Sequence, residues 1–270
     1  MSDYIALNAA DLWTLQVALL DLLIVVGMVA GLRYMSGLVA NVDSGEMLAT
    51  HDNFAFGLAF AGGLLGLAVM LTGVLSGDAG ATLVDELLSM IGYGLLGLLL
   101  IRLGRLIQDR IVLPKITVQE SIRDGNLAAA FVDVGNTIAI GIVLRAVMMW
   151  VETDRLFGLV FVLVAFVVSQ LLMAIVTRYR LAVYASRHDG ASLQSAFTDG
   201  NVALALRYAG HLIGVGLAVT AASGIVRYAP EQIAVSFLAW AVVIVIIALL
   251  LSGLAILARL VVLSGIDVVQ

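Results

Sequence analysis

The stretch Thr117-Val-Gln-Glu-Ser-Ile-Arg-Asp-Gly-Asn126 decides the fold, because the chain contains three versions of it. The other two versions occupy positions 44–53 and 192–201. Their final asparagines, Asn53, Asn126 and Asn201, are spaced almost evenly along the chain. A near-constant period of this kind indicates an internal structural repeat, and it has to be read before any single helix is assigned.

Each version is polar along its whole length and then turns into a long apolar run. The Ser or Thr that opens each version is suited to the N-cap of a short helix. Glu120 follows Thr117 at the spacing of a capping box. Gly125 and Gly200 suit the left-handed position that ends a helix, and Asp52 tolerates it less well. We therefore expect a short helix, a tight break and a long membrane helix, three times.

The asparagine that ends each version is suited to capping the long helix that follows. Helix capping is the plain interpretation of this residue, and a functional role for its side chain is the alternative. The three residues concerned are Asn53, Asn126 and Asn201.

Small residues recur at two fixed positions after each asparagine, one helical turn apart. Small residues at this spacing allow membrane helices to approach closely. Packing within one chain is the default interpretation, and subunit association or a pore-lining surface is the alternative. The residues are Gly62, Gly66, Gly135, Ala139, Gly210 and Gly214.

The composition is that of a membrane protein. Of 270 residues, 62% are apolar and 12% are charged, and the mean hydropathy is +1.11. Soluble domains carry about 25% charged residues. Seven apolar runs are long enough to cross a bilayer. We therefore expect an all-α membrane protein with the lipid bilayer as its surroundings.

The composition also argues against several functional classes. The chain has no cysteine, which removes disulfides and thiolate chemistry. Its three histidines are far apart in sequence and show no metal-ligand spacing. The net charge of −5 argues against a nucleic-acid surface. We expect no enzymatic activity and no cofactor, because no nucleophile–base pair or cofactor fingerprint is present.

The basic residues predict the orientation, because they favour the cytoplasmic side. Only Arg155 and Arg227 fall in loops on the opposite side. The prediction is an outside N-terminus and a cytoplasmic C-terminus. The basic residues on the predicted cytoplasmic side are Arg33, Arg102, Arg105, Arg110, Lys115, Arg123, Arg178, Arg180, Arg187 and Arg259.

The predicted architecture is one leading helix followed by three parallel two-helix repeats, each preceded by a short cytoplasmic interfacial helix. Residues 1–42 form the N-terminal tail and the first span. The first unit is 43–115, the second is 116–190 and the third is 191–270. All three units enter the membrane in the same direction, unlike the inverted repeats of many transporters.

The repeated motif resembles that of the YjfL-type bacterial inner-membrane proteins, a domain-of-unknown-function family. The run Asp124-Gly-Asn-Leu-Ala-Ala-Ala130 with Gly135 matches best, and residues 199–205 with Gly210 come next. Residues 52–66 match through Asn53, Ala55, Gly62, Gly63 and Gly66. The present chain departs by having a third unit and seven spans.

The resemblance implies a place in the bacterial inner membrane and a partner, but it supplies no catalytic residue. Family members are associated with operons that encode ATP-grasp amide ligases and membrane-scaffold proteins. The resemblance therefore implies a cytoplasmic protein partner for this chain.

Polar side chains inside the predicted spans are costly and require an explanation. Asp133 and Arg207 lie at similar depths in equivalent spans, where they could pair across two units or two subunits. One interpretation makes such groups interhelical contacts, with Arg207 reaching the headgroups. The sharper hypothesis is a polar pathway or ligand site formed by Asp21, Asp133, Asn136, Arg207 and His211.

Two functions remain open from the sequence. The first is channel- or transporter-like permeation of a small solute or ion, supported by the repeats and the intramembrane charges. The alternative is a membrane anchor or scaffold for a cytoplasmic enzyme or a membrane-stress partner, supported by the repeated cytoplasmic segments. Either function is compatible with a homo-oligomer.

Overall fold

The computed structural model describes residues 9–40, 47, 52–76, 82–151 and 157–262. Most of the short helix predicted within residues 44–53 lies outside the described residues. The described residues are helical and include no strand. The α-helices are α1 (Ala9–Ala40), α2 (Phe54–Val74), α3 (Leu83–Ile107), α4 (Val118–Arg123), α5 (Leu127–Trp150), α6 (Phe157–Arg187), α7 (Leu193–Thr198), α8 (Val202–Ile225) and α9 (Ile233–Val262).

Seven of these helices are long and apolar enough to cross a membrane, as the composition predicts. Helix α3 continues through a π-helical turn, Gln108–Val112, and α6 continues beyond Thr177 to Arg187. Both extensions emerge at the same end of the bundle, where the short helices α4 and α7 also lie.

The asparagine side chains cap the long helices. Oδ1 of Asn126 accepts a hydrogen bond from the Ala129 N–H at 3.0 Å, and Asn53 and Asn201 make the corresponding bonds. The breaks before them use positive φ angles at Gly125 (86°) and Gly200 (83°). Helix caps and backbone conformation therefore follow from local sequence.

The expected capping box at α4 is not formed. The Thr117 hydroxyl donates to the Glu120 carboxylate at 3.0 Å and makes no cap hydrogen bond to the backbone. At α7 the Ser192 hydroxyl does accept from the Ser195 N–H, at 3.3 Å. The two short helices thus begin in different ways although their sequences align.

Two of the asparagines also bind the ends of the two short helices. Nδ2 of Asn53 donates to the carbonyl oxygens of Ile122 and Arg123, at 3.0 and 2.8 Å. Nδ2 of Asn126 donates to the corresponding carbonyls of α7, those of Phe197 and Thr198, at 3.0 and 2.9 Å. Each amide therefore donates to two carbonyl groups at the end of the next short helix, where backbone carbonyls lack the full set of helical partners.

Helices α2, α5 and α8 lie side by side with α5 in the middle. Gly62 and Gly66 of α2 face Val134 and Thr137 of α5, and a Cβ on Gly66 would lie 2.6 Å from the Thr137 carbonyl oxygen. The paired positions ascend together along both helices, so the helices run parallel. The close approach requires glycine at these positions.

The contact between α5 and α8 uses corresponding positions. A Cβ on Gly135 would overlap Ala209, and Ala139 presents its carbonyl oxygen to Gly216. At Gly210 and Gly214, where the spacing predicts the same close packing, an added Cβ would meet no described atom within 4 Å. Helix α8 ends the row, so no further helix of the described chain covers that face.

The remaining long helices, α1, α3, α6 and α9, pack against this row. A large apolar cluster at one end includes Trp150 and Trp240, whose rings stack at 4.9 Å. A second cluster buries Val118 and Ile122 of α4 and Phe197 of α7. The short helices α4 and α7 thus cover the end of the bundle at which α5 and α8 begin.

Large apolar side chains cover much of the outer surface. Leu171 and Ile175 of α6 are 60% and 63% exposed, and similar residues line α9. A water-soluble protein does not expose so extensive an apolar surface. The described helices therefore present an exterior that fits lipid.

Candidate polar site at the closed end of the bundle

Arg105 of α3 and Asp133 of α5 form a buried ion pair. Nη2 of Arg105 lies 2.8 Å from Oδ2 of Asp133, and the side chains are 15% and 3% exposed. A second donor, Nε2 of Gln119 on α4, reaches the other carboxylate oxygen at 3.0 Å. Both oxygens of this membrane-buried carboxylate are therefore engaged.

The arginine is held by further bonds. Its Nε donates to the Thr137 hydroxyl at 3.2 Å, and its Nη2 also lies 3.5 Å from the Ala59 carbonyl oxygen. Gly63 leaves space for the guanidinium, since a Cβ there would lie 3.3 Å from Nη2. The ion pair joins α2, α3, α4 and α5, which indicates a role in holding the helices together.

This arrangement corrects the pairing that the sequence suggested. Asp133 pairs with Arg105 rather than with Arg207. Arg207 lies on α8 and is exposed, next to a separate cavity. Asp21 lies within α1 and takes no part in the described hydrogen bonds of the ion pair. The five residues of the predicted polar site therefore do not form one cluster.

A second buried polar contact joins α3, α6 and α8. Nε2 of Gln108, in the π-helical turn, donates to the Tyr208 hydroxyl at 2.6 Å. The Thr177 hydroxyl of α6 lies 3.1 Å from the same oxygen. Because all three groups are buried, this contact fixes the relative positions of the three helices.

A cavity of about 60 Å³ opens beside this contact, between α6, α7 and α8. His211 and Arg207, both predicted site residues, line it together. Five of the ten described residues of its wall are Arg or His, and none of the ten is acidic. These lining residues are Arg180, Val183, Tyr184, Arg187, His188, Leu193, Leu204, Arg207, Tyr208 and His211.

Several buried polar atoms around α5, α6 and α8 have no hydrogen-bond partner among the described residues. Both side-chain amide atoms of Asn136 belong to this group, although the residue is only 1% exposed. Nε of Arg180 and Nε2 of His211 are in the same situation. A buried polar group without a partner costs about 1–3 kcal/mol, so these atoms favour contact with water or a ligand.

The described residues contain no group of three His, Asp or Glu side chains placed to hold a metal ion. The polar groups at the cavity are instead the guanidinium groups of three arginines and the imidazole rings of two histidines. The guanidinium groups carry the positive charge that binds anions rather than metal cations.

Sequence reasoning misses the main partners of Asp133. It assigns Arg105 only to the orientation signal, and it places Gln119 only within the repeated motif. A usable signal is the recurrence of an arginine at nearly the same distance before each asparagine, at Arg33, Arg105 and Arg180. The recurrence places each arginine on the long helix that precedes a unit.

These features define a class of protein: an all-helical chain whose seven apolar helices suggest a multi-pass membrane protein. The chain belongs to the family described as Domain of Unknown Function (DUF350), whose model matches residues 9–148 and 82–185 in two overlapping segments. No curated protein and no solved structure matches the chain.

Proposed function

We propose that this is a bacterial inner-membrane protein built from three parallel two-helix repeats after one leading helix, with an outside N-terminus and a cytoplasmic C-terminus. The parallel contacts of α2 with α5 and of α5 with α8 support the repeat arrangement. The concentration of basic residues at the end that carries α4 and α7 supports the orientation. The short helices would then lie at the cytoplasmic interface.

Within this arrangement, the activity we propose is permeation of a small solute or ion along the junction of α5, α6 and α8. The observation that carries the proposal is Asn136, a buried amide in an apolar helix with no described partner for either polar atom. Polar groups at membrane depth are costly and rare, and they commonly mark a solute or ion pathway.

The position of Asn136 supports its link to the cavity. It occupies the same place relative to Asn126 in the second unit as His211 does relative to Asn201 in the third. The corresponding residue of the first unit, Gly63, lies against the guanidinium of Arg105. By this correspondence we infer that Asn136 faces Arg180, which lines the cavity with His211. A polar route would therefore lead from the cavity into the bundle.

Asp133 is not assigned to this route. Its carboxylate is compensated by Arg105 and Gln119, so it already has the partners that a buried charge requires. The proposal also assigns no catalytic chemistry and no cofactor to the chain.

Flux through proteoliposomes tests the proposal. Purified protein would be reconstituted and assayed with chloride, phosphate, potassium and small neutral solutes, comparing wild type with Asn136→Leu. Ile138→Leu is the matched control, since it changes a neighbouring, partly exposed position of the same helix. We expect flux in wild type and the control, with loss in Asn136→Leu at unchanged monodispersity.

Absence of flux for every solute in the wild type would contradict permeation. Equal flux in wild type and Asn136→Leu would remove Asn136 from the route. If Asn136→Leu does not fold, Asn136→Ser serves the same comparison. Serine is smaller than asparagine and keeps only one polar side-chain atom.

A second function is favoured by a separate observation. Helices α4 and α7 are joined to the preceding units by the asparagine bonds, and basic side chains such as Arg123 and Arg187 are exposed around them. A rigid basic surface of this kind suits an anchor or scaffold for an acidic cytoplasmic protein. Crosslinking from Arg123→Cys in native membranes, with identification of the captured protein, tests this alternative.

A further inference from the structure

The polar positions at the start of the second and third units correspond one to one when the units are aligned through Asn126 and Asn201. Arg105 corresponds to Arg180, Asp133 to Tyr208 and Asn136 to His211. The two arginines both lie on the long helix that precedes the unit's short helix. The two places can therefore be compared as two versions of one local structure.

In the second unit this local structure is electrically compensated. Arg105 is paired with Asp133 at 2.8 Å, and Asp109 stands nearby in the π-helical turn. The carboxylate of Asp133 fills the space in front of the guanidinium. No external group is required for charge balance here.

Around Arg180 both carboxylates are replaced by phenols. Tyr208 stands at the position that corresponds to Asp133, and Tyr184 at the position that corresponds to Asp109. The Tyr208 hydroxyl is already occupied by Gln108 and Thr177. Among the described residues, the wall that Arg180 faces therefore carries no carboxylate.

The structure around Arg180 also has basic groups at positions that are apolar around Arg105. Arg207 replaces Val132, and the adjacent pair Arg187 and His188 replaces Val112 and Leu113. All three basic residues line the cavity. Because of these exchanges, the place that corresponds to the ion pair of Arg105 and Asp133 is an open basic cavity.

The cavity has the size and the donors for a small anion. Its volume of about 60 Å³ exceeds the space that one water needs. Nε of Arg180 and Nε2 of His211 are buried and have no hydrogen-bond partner among the described residues. Guanidinium groups match the oxygens of phosphates and carboxylates in geometry as well as charge.

We propose that this cavity binds a phosphate-type anion, which takes the place that the Asp133 carboxylate occupies in the second unit. Arg180 and His211 are the residues that contact it. The anion is either the headgroup of an acidic phospholipid or a free phosphate, since the cavity lies at the end of the bundle where the predicted headgroup region begins.

The inference rests on the proposed function in one respect, because it names the ligand of the same junction. Binding is measured in detergent without any flux, so the two can fail separately. Binding without flux would remove permeation and leave the anion site. Flux without binding of either anion would remove the anion site and leave permeation.

The test uses the full-length protein purified in a neutral detergent. Native mass spectrometry would count retained phosphatidylglycerol against phosphatidylcholine, and thermal melting would be followed during titration with inorganic phosphate. The variant is Arg180→Gln. Arg178→Gln is the matched control, because Arg178 lies on the same helix and carries the same charge but bonds to the Ile111 carbonyl outside the cavity.

We expect saturable binding of at least one of the two anions by the wild type and by Arg178→Gln. Arg180→Gln should weaken it by about ten-fold or more, since it removes a charge-assisted donor. Retention of the lipid alone identifies a headgroup site, and binding of phosphate identifies a site for a free anion.

Two results would overturn the proposal. One is absence of saturable binding for both anions; the other is equal weakening in both variants, which would show a general effect of net charge. If Arg180→Gln is not monodisperse, His211→Asn replaces it. That change introduces the residue found at the corresponding position of the second unit and removes one contact of the anion.

Discussion

Asp133 Oδ2 lies 2.8 Å from Arg105 Nη2, although the two residues lie on different helices, α5 and α3. Arg105 lies near the end of α3, and Asp133 lies in the first half of α5. The pair therefore connects α3 to α5 inside the bundle.

Removing the carboxylate should destabilise the protein. Asp133→Asn leaves the Arg105 guanidinium buried without its counter-charge, which we expect to cost about 3 kcal/mol. Thermal unfolding in detergent, followed by tryptophan fluorescence, measures the loss. Asp124→Asn, at an exposed position, is the control and should change little. The double replacement Arg105→Met with Asp133→Leu should recover much of the loss; no recovery would point to a role for the charges beyond packing.

Two glycines at the same position of successive units should respond to alanine with opposite signs. Gly135→Ala places a methyl group against Ala209 and should cost about 1–3 kcal/mol through overpacking. Gly210→Ala has open space and should gain about 0.5–1 kcal/mol, because alanine favours the helix. Parallel melting curves of the two variants provide the comparison. A similar loss in both would indicate that the Gly210 face is covered, as in an oligomer.

Replacement with Asp, which caps helices about as well as Asn, should lower the stability of the protein more at Asn126 than at Asn201. Asn126→Asp loses the two amide donors to Phe197 and Thr198 and places a carboxylate near their carbonyl oxygens. We expect a loss of about 1–3 kcal/mol. Asn201→Asp keeps the cap to Leu204 and should be close to neutral. Thermal melting of the two variants measures the difference in stability. Equal effects would mean that only the helix cap contributes at both positions.

The predicted orientation can be tested directly because the chain has no cysteine. Arg123→Cys lies at the end of α4 and Arg227→Cys at the opposite end of the bundle, and neither position is buried. A membrane-impermeant maleimide added to intact spheroplasts should label position 227 and spare 123. Labelling after lysis shows that both thiols are reactive. The reverse pattern would invert the topology.

The sequence by itself determined the local features of this protein. Apolar runs of membrane length predicted the seven long helices, since helix formation in lipid depends on hydrogen bonds within each segment. The break before each long helix followed from Gly125, Gly200 and the capping asparagines, whose preferences act over a few residues. The periodic small residues also marked Gly62 and Gly135 as contact positions.

Only the tertiary structure decided which of these positions meet. Gly210 carries the same signal as Gly135 but has no close neighbour in the described chain, because α8 ends the row. Asp133 had an apparent partner in Arg207 by depth, yet Arg105 reaches it because α3 packs against both α2 and α5. A charge finds its partner through the arrangement of whole helices, and local sequence periodicity does not contain that arrangement.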